Sequence, residues 1–201
     1  MMVDDGPVVY PKGVTLSGGP AVTLRWLAPR DREEVWRFFE RVPEEDRAFL
    51  KEDVMSREEV ERWLDRLDPN RETVVVAEAA PRIVGTAILE RQRYGWAQHV
   101  GEIRIVVDPD RRRQGLGYVL AEETFMLAVK LGLEKIVAAM MADQTSAVRV
   151  FERLGFRAEA LLRDHVKDRH GRKHDLLLMA HSVDDFMSRS QAFGVTEELS
   201  G

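Results

Sequence analysis

The stretch Glu102–Gly117, EIRIVVDPDRRRQGLG, constrains this chain more than any other. It reads as a buried apolar strand, a Pro-marked turn, three arginines and a Gly-x-Gly, followed by an unbroken amphipathic helix. That order gathers main-chain N–H groups at a helix N-terminus, where the helix dipole already favours an anion. Arg112 and Arg113 add charge suited to phosphate, and the glycines let the backbone approach it closely. The stretch is expected to hold a ligand with a pyrophosphate.

The segments around it place this loop in an α+β layout. Val22–Trp26 reads as a strand, and Pro29-Arg30-Asp31 opens a helix with Val35, Phe38, Phe39 and Val42 on one face. Ser56 and Glu59 form a capping-box signature before a second amphipathic helix carrying Val60, Trp63, Leu64 and Leu67. Strands follow at Thr73–Glu78, Ile83–Glu90 and Val100–Val107, then the long helix over 116–131 and the almost wholly apolar strand Lys135–Ala142. A short helix, Ala147–Leu154, stops at Gly155. Two further strands, Phe156–Leu162 and Lys173–His181, flank a charged connection at Arg163–Arg172. The expected fold is a mixed, mostly antiparallel sheet with one central βαβ unit, flanked by helices, with the phosphate loop at that unit's first turn. Residues 1–21 read as a tail plus a hairpin whose β-prone runs are Val8–Tyr10 and Val14–Leu16, with Ser17-Gly18-Gly19 near its turn. Residues 22–181 form the main domain and 182–201 a C-terminal tail.

Composition removes several function classes. With 30 basic and 35 acidic residues the net charge is −5, which argues against general affinity for nucleic acid or anionic membrane, so the arginine cluster is a local device. No apolar run approaches the roughly 20 residues a membrane span needs, and no signal-peptide pattern is present, which predicts a cytoplasmic location. The absence of cysteine excludes disulfides, thiolate metal sites and a cysteine nucleophile. Homo-oligomerisation is left open.

Two familiar phosphate loops fail against the sequence. A Walker loop needs Gly-x-x-x-x-Gly-Lys-Ser/Thr, which is absent, and a dinucleotide fingerprint needs glycine where the chain has Leu120. What remains is Arg112-x-x-Gly115-x-Gly117 between a strand and a helix. Here the chain resembles the GNAT superfamily of acyl-CoA-dependent N-acyltransferases, whose signature is Arg/Gln-x-x-Gly-x-Gly/Ala. QTSAVRVFERLGF, Gln144–Phe156, resembles the family's Asn-x-x-Ala…Tyr-x-x-x-Gly-Phe segment. Val22–Leu50 is similar to bacterial Pat-type protein-lysine acetyltransferases.

The resemblance implies acetyl-CoA as the acyl donor and a primary amine, such as a protein lysine, as acceptor. It implies a pyrophosphate held by Arg112, Arg113, Gln114, Gly115, Leu116, Gly117 and Tyr118. The pantetheine arm would lie along Ile105, Val106 and Val107, with Gln144, Phe151 and Arg153 also near the cofactor. In the family the strands on either side of the loop splay apart to admit that arm. No metal is implied; His165, His170 and His174 lack a recognised ligand spacing and fit a charged hairpin, where they are candidates for acceptor contact, as is Trp96 on the loop before Glu102.

A lysine-like amine with a pKa near 10.4 is neutral only about once in a thousand molecules or less at neutral pH, so attack on a thioester needs a base or a desolvated neutral amine. Glu102 matches the glutamate that the resembled enzymes use as base, with His99 as the next candidate. Many relatives place a tyrosine acid where this chain has Phe151, which cannot donate a proton. An acyl-CoA-binding sensor without turnover is therefore a competing expectation, and acetylation of a small amine or a protein N-terminus is the enzymatic alternative.

Overall fold

A computed structural model describes residues 9–47, 50, 54–168 and 170–184. The strands are β1 (Lys12–Val14), β2 (Val22–Trp26), β3 (Glu72–Ala79), β4 (Arg82–Arg91), β5 (Val100–Val107), β6 (Lys135–Met141), β7 (Arg157–Lys167) and β8 (Lys173–Ser182). They form one sheet in the order β1-β2-β3-β4-β5-β6-β8-β7. Every neighbouring pair is antiparallel except β5–β6, which is parallel. A parallel pair requires a crossover, and the helix α4 (Leu116–Lys130) supplies it.

Both faces of the sheet are covered, which explains why β3 reads as an uninterrupted Val-Val-Val run rather than an alternation. On one face Leu24, Val75, Ala87, Leu89 and Ile103 pack against Leu116, Leu120 and Phe125 of α4 and Phe151 of α5 (Thr145–Arg153). On the other, Val74, Val76, Ile83 and Ile88 meet α1 (Arg32–Arg41) and α3 (Arg57–Arg66) through Val35, Phe38, Phe39, Val60 and Trp63. Each large side chain fully buried there contributes roughly 1.5–3 kcal/mol. The expected cap of α3 is present: Ser56 Oγ accepts from Glu59 N–H at 3.2 Å. A short helix, α2 (Glu44–Arg47), lies between α1 and α3 and carries no apolar periodicity that would announce it. Among the described residues no helix is long and apolar enough to cross a membrane.

Two expectations are corrected. The N-terminal hairpin crosses the expected boundary between residues 21 and 22. Its strand is Lys12–Val14, its partner is β2, and Ser17-Gly18-Gly19 lies in the loop joining them; Val8 lies outside the described residues. Arg163–Arg172 is not simply a connection, because β7 runs on to Lys167. Its register on β8 shifts between Leu162 and Val166, where Asp164 sits at φ +53°, so a bulge interrupts the alternation that would have marked a long strand. Residues 185–201, most of the expected C-terminal tail, lie outside the described residues.

Candidate active site

The loop begins on a buried carboxylate. Asp108 is 3 % exposed; its Oδ1 accepts the Asp110 N–H at 3.0 Å and its Oδ2 accepts Arg41 Nε at 2.7 Å. Arg41 also donates to the Ile83 carbonyl at 2.7 Å, so α1, β4 and the loop share one anchor. Arg113 (φ +59°) and Gly115 (φ +89°) then turn the chain into α4. Gly115 is the N-cap and offers no side-chain acceptor, and the first intrahelical bond runs from Val119 N–H to Gly115 O at 3.1 Å. The N–H groups of Leu116, Gly117 and Tyr118 therefore have no acceptor within the helix. A Cβ added at Gly117 would meet only Val107 Cγ2, at 3.8 Å. Packing within the chain does not require glycine there, which leaves room above the loop.

The two parallel strands part beside this loop. β5 and β6 are in register only from Val100–Lys135 to Glu102–Val137. Beyond Glu102, β5 continues against β4 and β6 continues against β8. The Asp108 N–H donates to Val84 O at 3.0 Å. By antiparallel alternation, Thr86–Val106 and Ile88–Arg104 are the bonded pairs, and the main-chain groups of Ile105 and Val107 point away from β4 into the wedge. Val106 instead directs its main chain to β4 and packs its side chain with the α1–α3 cluster.

Glu102 is the last β5 residue paired with β6. It is half-buried and lies directly across from Glu90 on β4, which pairs with Arg104 at 3.2 Å. These side chains share the sheet face of Val106. His99 is exposed before the start of β5, its carbonyl accepting from Glu134 and Lys135 N–H groups. Trp96 is 94 % exposed, so packing does not explain it.

On the opposite arm, Gln144 precedes α5, and its Oε1 accepts the Met141 N–H at 3.3 Å. The Arg153 guanidinium lies over the Tyr118 ring at 4.7 Å, joining α5 to the start of α4. Burial, with Glu122 beside it, pushes the Tyr118 phenol above its ordinary range. Phe151 is buried edge-on against Phe156, with centroids 5.0 Å apart. Gln114 donates to Asp110 O at 2.9 Å, and its Oε1 is buried. Arg112 is paired with Asp46 of α2 at 2.6 Å, a contact that sequence reasoning missed because nothing local links the two residues.

The hairpin histidines do not converge. His174 faces Asp168 at 3.1 Å, whereas His165 and His170 are exposed. That His174 contact leads the interactions holding the Asp168 carboxyl below its usual range, aided by the N–H groups of Arg172 and His170. No cluster of three or more candidate metal ligands forms among the described residues.

The acetyltransferase (GNAT) family model matches residues 30–156. The chain belongs to the GNAT family. Among curated relatives of this GNAT chain, mycothiol acetyltransferase of Thermobispora bispora is 32 % identical over 143 residues, covering 67 % of the chain and 46 % of the relative. The [Ribosomal protein bS18]-alanine N-acetyltransferase of Escherichia coli K12 is 34 % identical over 76 residues, 38 % of the chain and 51 % of the relative. The chain thus spans about half the length of these relatives. Two solved structures share the GNAT fold. A GNAT-family acetyltransferase of Streptococcus pneumoniae has a TM-score of 0.70 at 22 % identity, covering 81 % of this chain and 99 % of that one. The Salmonella typhimurium protein yncA with its cofactor acetyl-CoA has a TM-score of 0.68 at 19 % identity, covering 82 % and 95 %.

Proposed function

We propose that the chain transfers an acetyl group from acetyl-CoA to a primary amine by direct attack in a ternary complex. The observation that carries this reading is the parting of β5 and β6 immediately after Glu102, beside a helix N-terminus with free first-turn N–H groups. The residues fit the donor. The space at Gly117 and the N–H groups of Leu116–Tyr118 suit a pyrophosphate, and Ile105 and Val107 present main-chain groups to an amide-bearing arm.

Acetyl-CoA supplies an acyl group activated as a thioester. Glu102 takes a proton from the acceptor ammonium, directly or through water; the neutral nitrogen then forms its bond to the acyl carbon as the carbon–sulfur bond breaks, and releases its second proton to solvent. Main-chain N–H groups near Ile105–Val107 draw charge onto the carbonyl oxygen. The sulfur leaves as thiolate, which a thiol pKa near 8.5 makes tolerable without a strong acid, and it then takes its proton from solvent.

The acceptor is a protein lysine in our reading, supported by the Pat-type likeness of Val22–Leu50. A protein N-terminus and a small amine are the competing acceptors; the curated relatives are named for an alanine of ribosomal protein bS18 and for mycothiol. One observation favours a second reading, an acyl-CoA sensor: Phe151, at the position of the family's tyrosine acid, is a buried apolar side chain. Free-thiol release should be followed with acetyl-CoA and a panel of lysine-bearing proteins, peptides with N-terminal alanine, and small amines. Release that depends on a lysine protein is the expected result. Release with only the other acceptors overturns the lysine assignment, and coenzyme A binding without turnover across the panel favours the sensor.

A further inference from the structure

The turn between β1 and β2 rests on the phosphate loop. A Cβ added at Gly115 would lie 2.8 Å from Ser17 Oγ and 3.7 Å from Ser17 N. A Cβ at Gly18 would lie 3.5 Å from Gln114 Cα and 3.7 Å from Arg113 O, and one at Gly19 would collide with Gln114 Oε1. Neither Gly18 nor Gly19 has positive φ, so handedness does not demand these glycines. Close approach matters at Gly19, where a side chain would have to displace the Gln114 amide, whereas Gly18 lies in ordinary van der Waals range of Arg113 and Gln114.

The chain entering the turn is also held in place. Tyr10 Oη donates to Glu123 Oε1 at 3.0 Å, and Lys12 Nζ meets Glu123 Oε2 at 2.7 Å, fastening the incoming chain to α4. Leu16, immediately before Ser17, is 4 % exposed in the core shared with α4. Ser17 itself is exposed to solvent. A hydroxyl is therefore fixed beside Gly115, at the helix end whose own N-cap carries no side chain.

We propose that Ser17 is a donor-site residue whose hydroxyl hydrogen-bonds a pyrophosphate oxygen of coenzyme A, with the Ser17-Gly18-Gly19 turn forming a second wall of the cradle. The proposal rests on the reading of Arg112–Tyr118 as the pyrophosphate loop. The chemistry is that of a neutral donor meeting an anionic oxygen, among the stronger hydrogen bonds available to a side chain. It places part of the donor site in a segment outside the residues that the family model matches.

The test is calorimetry on the full chain with coenzyme A and with pantetheine, which lacks the pyrophosphate. Ser17→Ala is expected to weaken coenzyme A binding about tenfold, the scale of a hydrogen bond to a charged group, and to leave pantetheine binding and the melting temperature unchanged. Ser17→Thr should restore most of the affinity. Gly117→Val serves as the loop control, because its Cβ meets only Val107 within the chain and the variant should fold. If Gly117→Val loses coenzyme A and Ser17→Ala does not, the Ser17 assignment is overturned while the loop reading stands. If neither variant loses affinity, the loop reading falls and takes this one with it. Tighter binding by Ser17→Ala would mean that the turn obstructs the ligand, and equal losses for coenzyme A and pantetheine would reduce Ser17 to a structural part; either overturns the proposal.

Discussion

Arg112 Nη2 stands 2.6 Å from Asp46 Oδ2, tying the candidate phosphate loop to α2, 66 residues earlier in the chain. The side chains are 43 % and 33 % exposed, so the pair is solvent-screened and weakly stabilising. Arg112 can thus exchange Asp46 for a phosphate at small cost, and the exchange would loosen α2 from the loop.

Asp46→Asn should consequently strengthen coenzyme A binding. An exposed pair contributes about 0.2–1 kcal/mol, which corresponds to at most about a fivefold gain. The gain should be measurable by calorimetry at low ionic strength and shrink as salt is added. Unchanged affinity at low salt would show that Arg112 keeps Asp46 when the donor binds.

Glu102→Gln keeps the size of the side chain and removes its capacity to accept a proton. Coenzyme A affinity should be intact and kcat should fall about a hundredfold or more, with the acid limb of the pH–rate profile lost. A profile that kept its acid limb would move the base elsewhere, with His99 the first residue to test.

Gly155 adopts φ +88°, and a Cβ there would stand 2.8 Å from His181 Nε2. That ring cannot yield easily: it packs on Phe125 and Phe156 at 4.9 and 5.5 Å, and its Nδ1 lies 2.7 Å from Ser182 O. Gly155→Ala should cost about 2–4 kcal/mol from handedness and overpacking together. A thermal melt should fall by roughly 5–10 °C, with little change in coenzyme A affinity.

Asp31 anchors the start of the first helical segment. Arg25 grips both its oxygens at 2.7 and 3.0 Å, and the Ala28 N–H donates to it at 2.8 Å. Burial works against its charged form, but the Arg25 and Ala28 contacts outweigh that and hold the carboxyl below its usual range. The folded pKa is therefore lower than the unfolded value near 3.9, so the ionised group stabilises the fold above about pH 4. That contribution is lost as pH falls through the folded value. Asp31→Asn should destabilise the chain by about 3 kcal/mol near neutral pH, because Arg25 keeps Glu78 as a partner. The difference from wild type should narrow under acid, as read by denaturant unfolding down to about pH 2.

Several elements were legible before any coordinates. The apolar β5 run, the Gly-x-Gly and the long helix each follow a local period or a local backbone demand, so β5–α4–β6 could be placed with nearly correct ends. Ser56 and Glu59 announced the start of α3 in the same way. The bulge at Asp164 hid the second half of β7, since a register shift breaks the alternation that marks a strand. The extent of β1 was equally hidden: a three-residue strand, Lys12–Val14, carries too little pattern to fix its ends.

By itself, the order of residues marked the candidate phosphate loop, the flanking strands and the absence of thiol chemistry, because each depends on spacing within a few turns or on composition, while the candidate base came from the family resemblance. Only the tertiary structure decided that Glu102 sits where β5 and β6 part, that Ile105 and Val107 face the wedge while Val106 faces β4, and that Arg112 meets Asp46. It also laid Ser17 beside Gly115. Those relationships join segments far apart in sequence, and burial, strand register and charge pairing select them when the chain closes on its core; no local period records them.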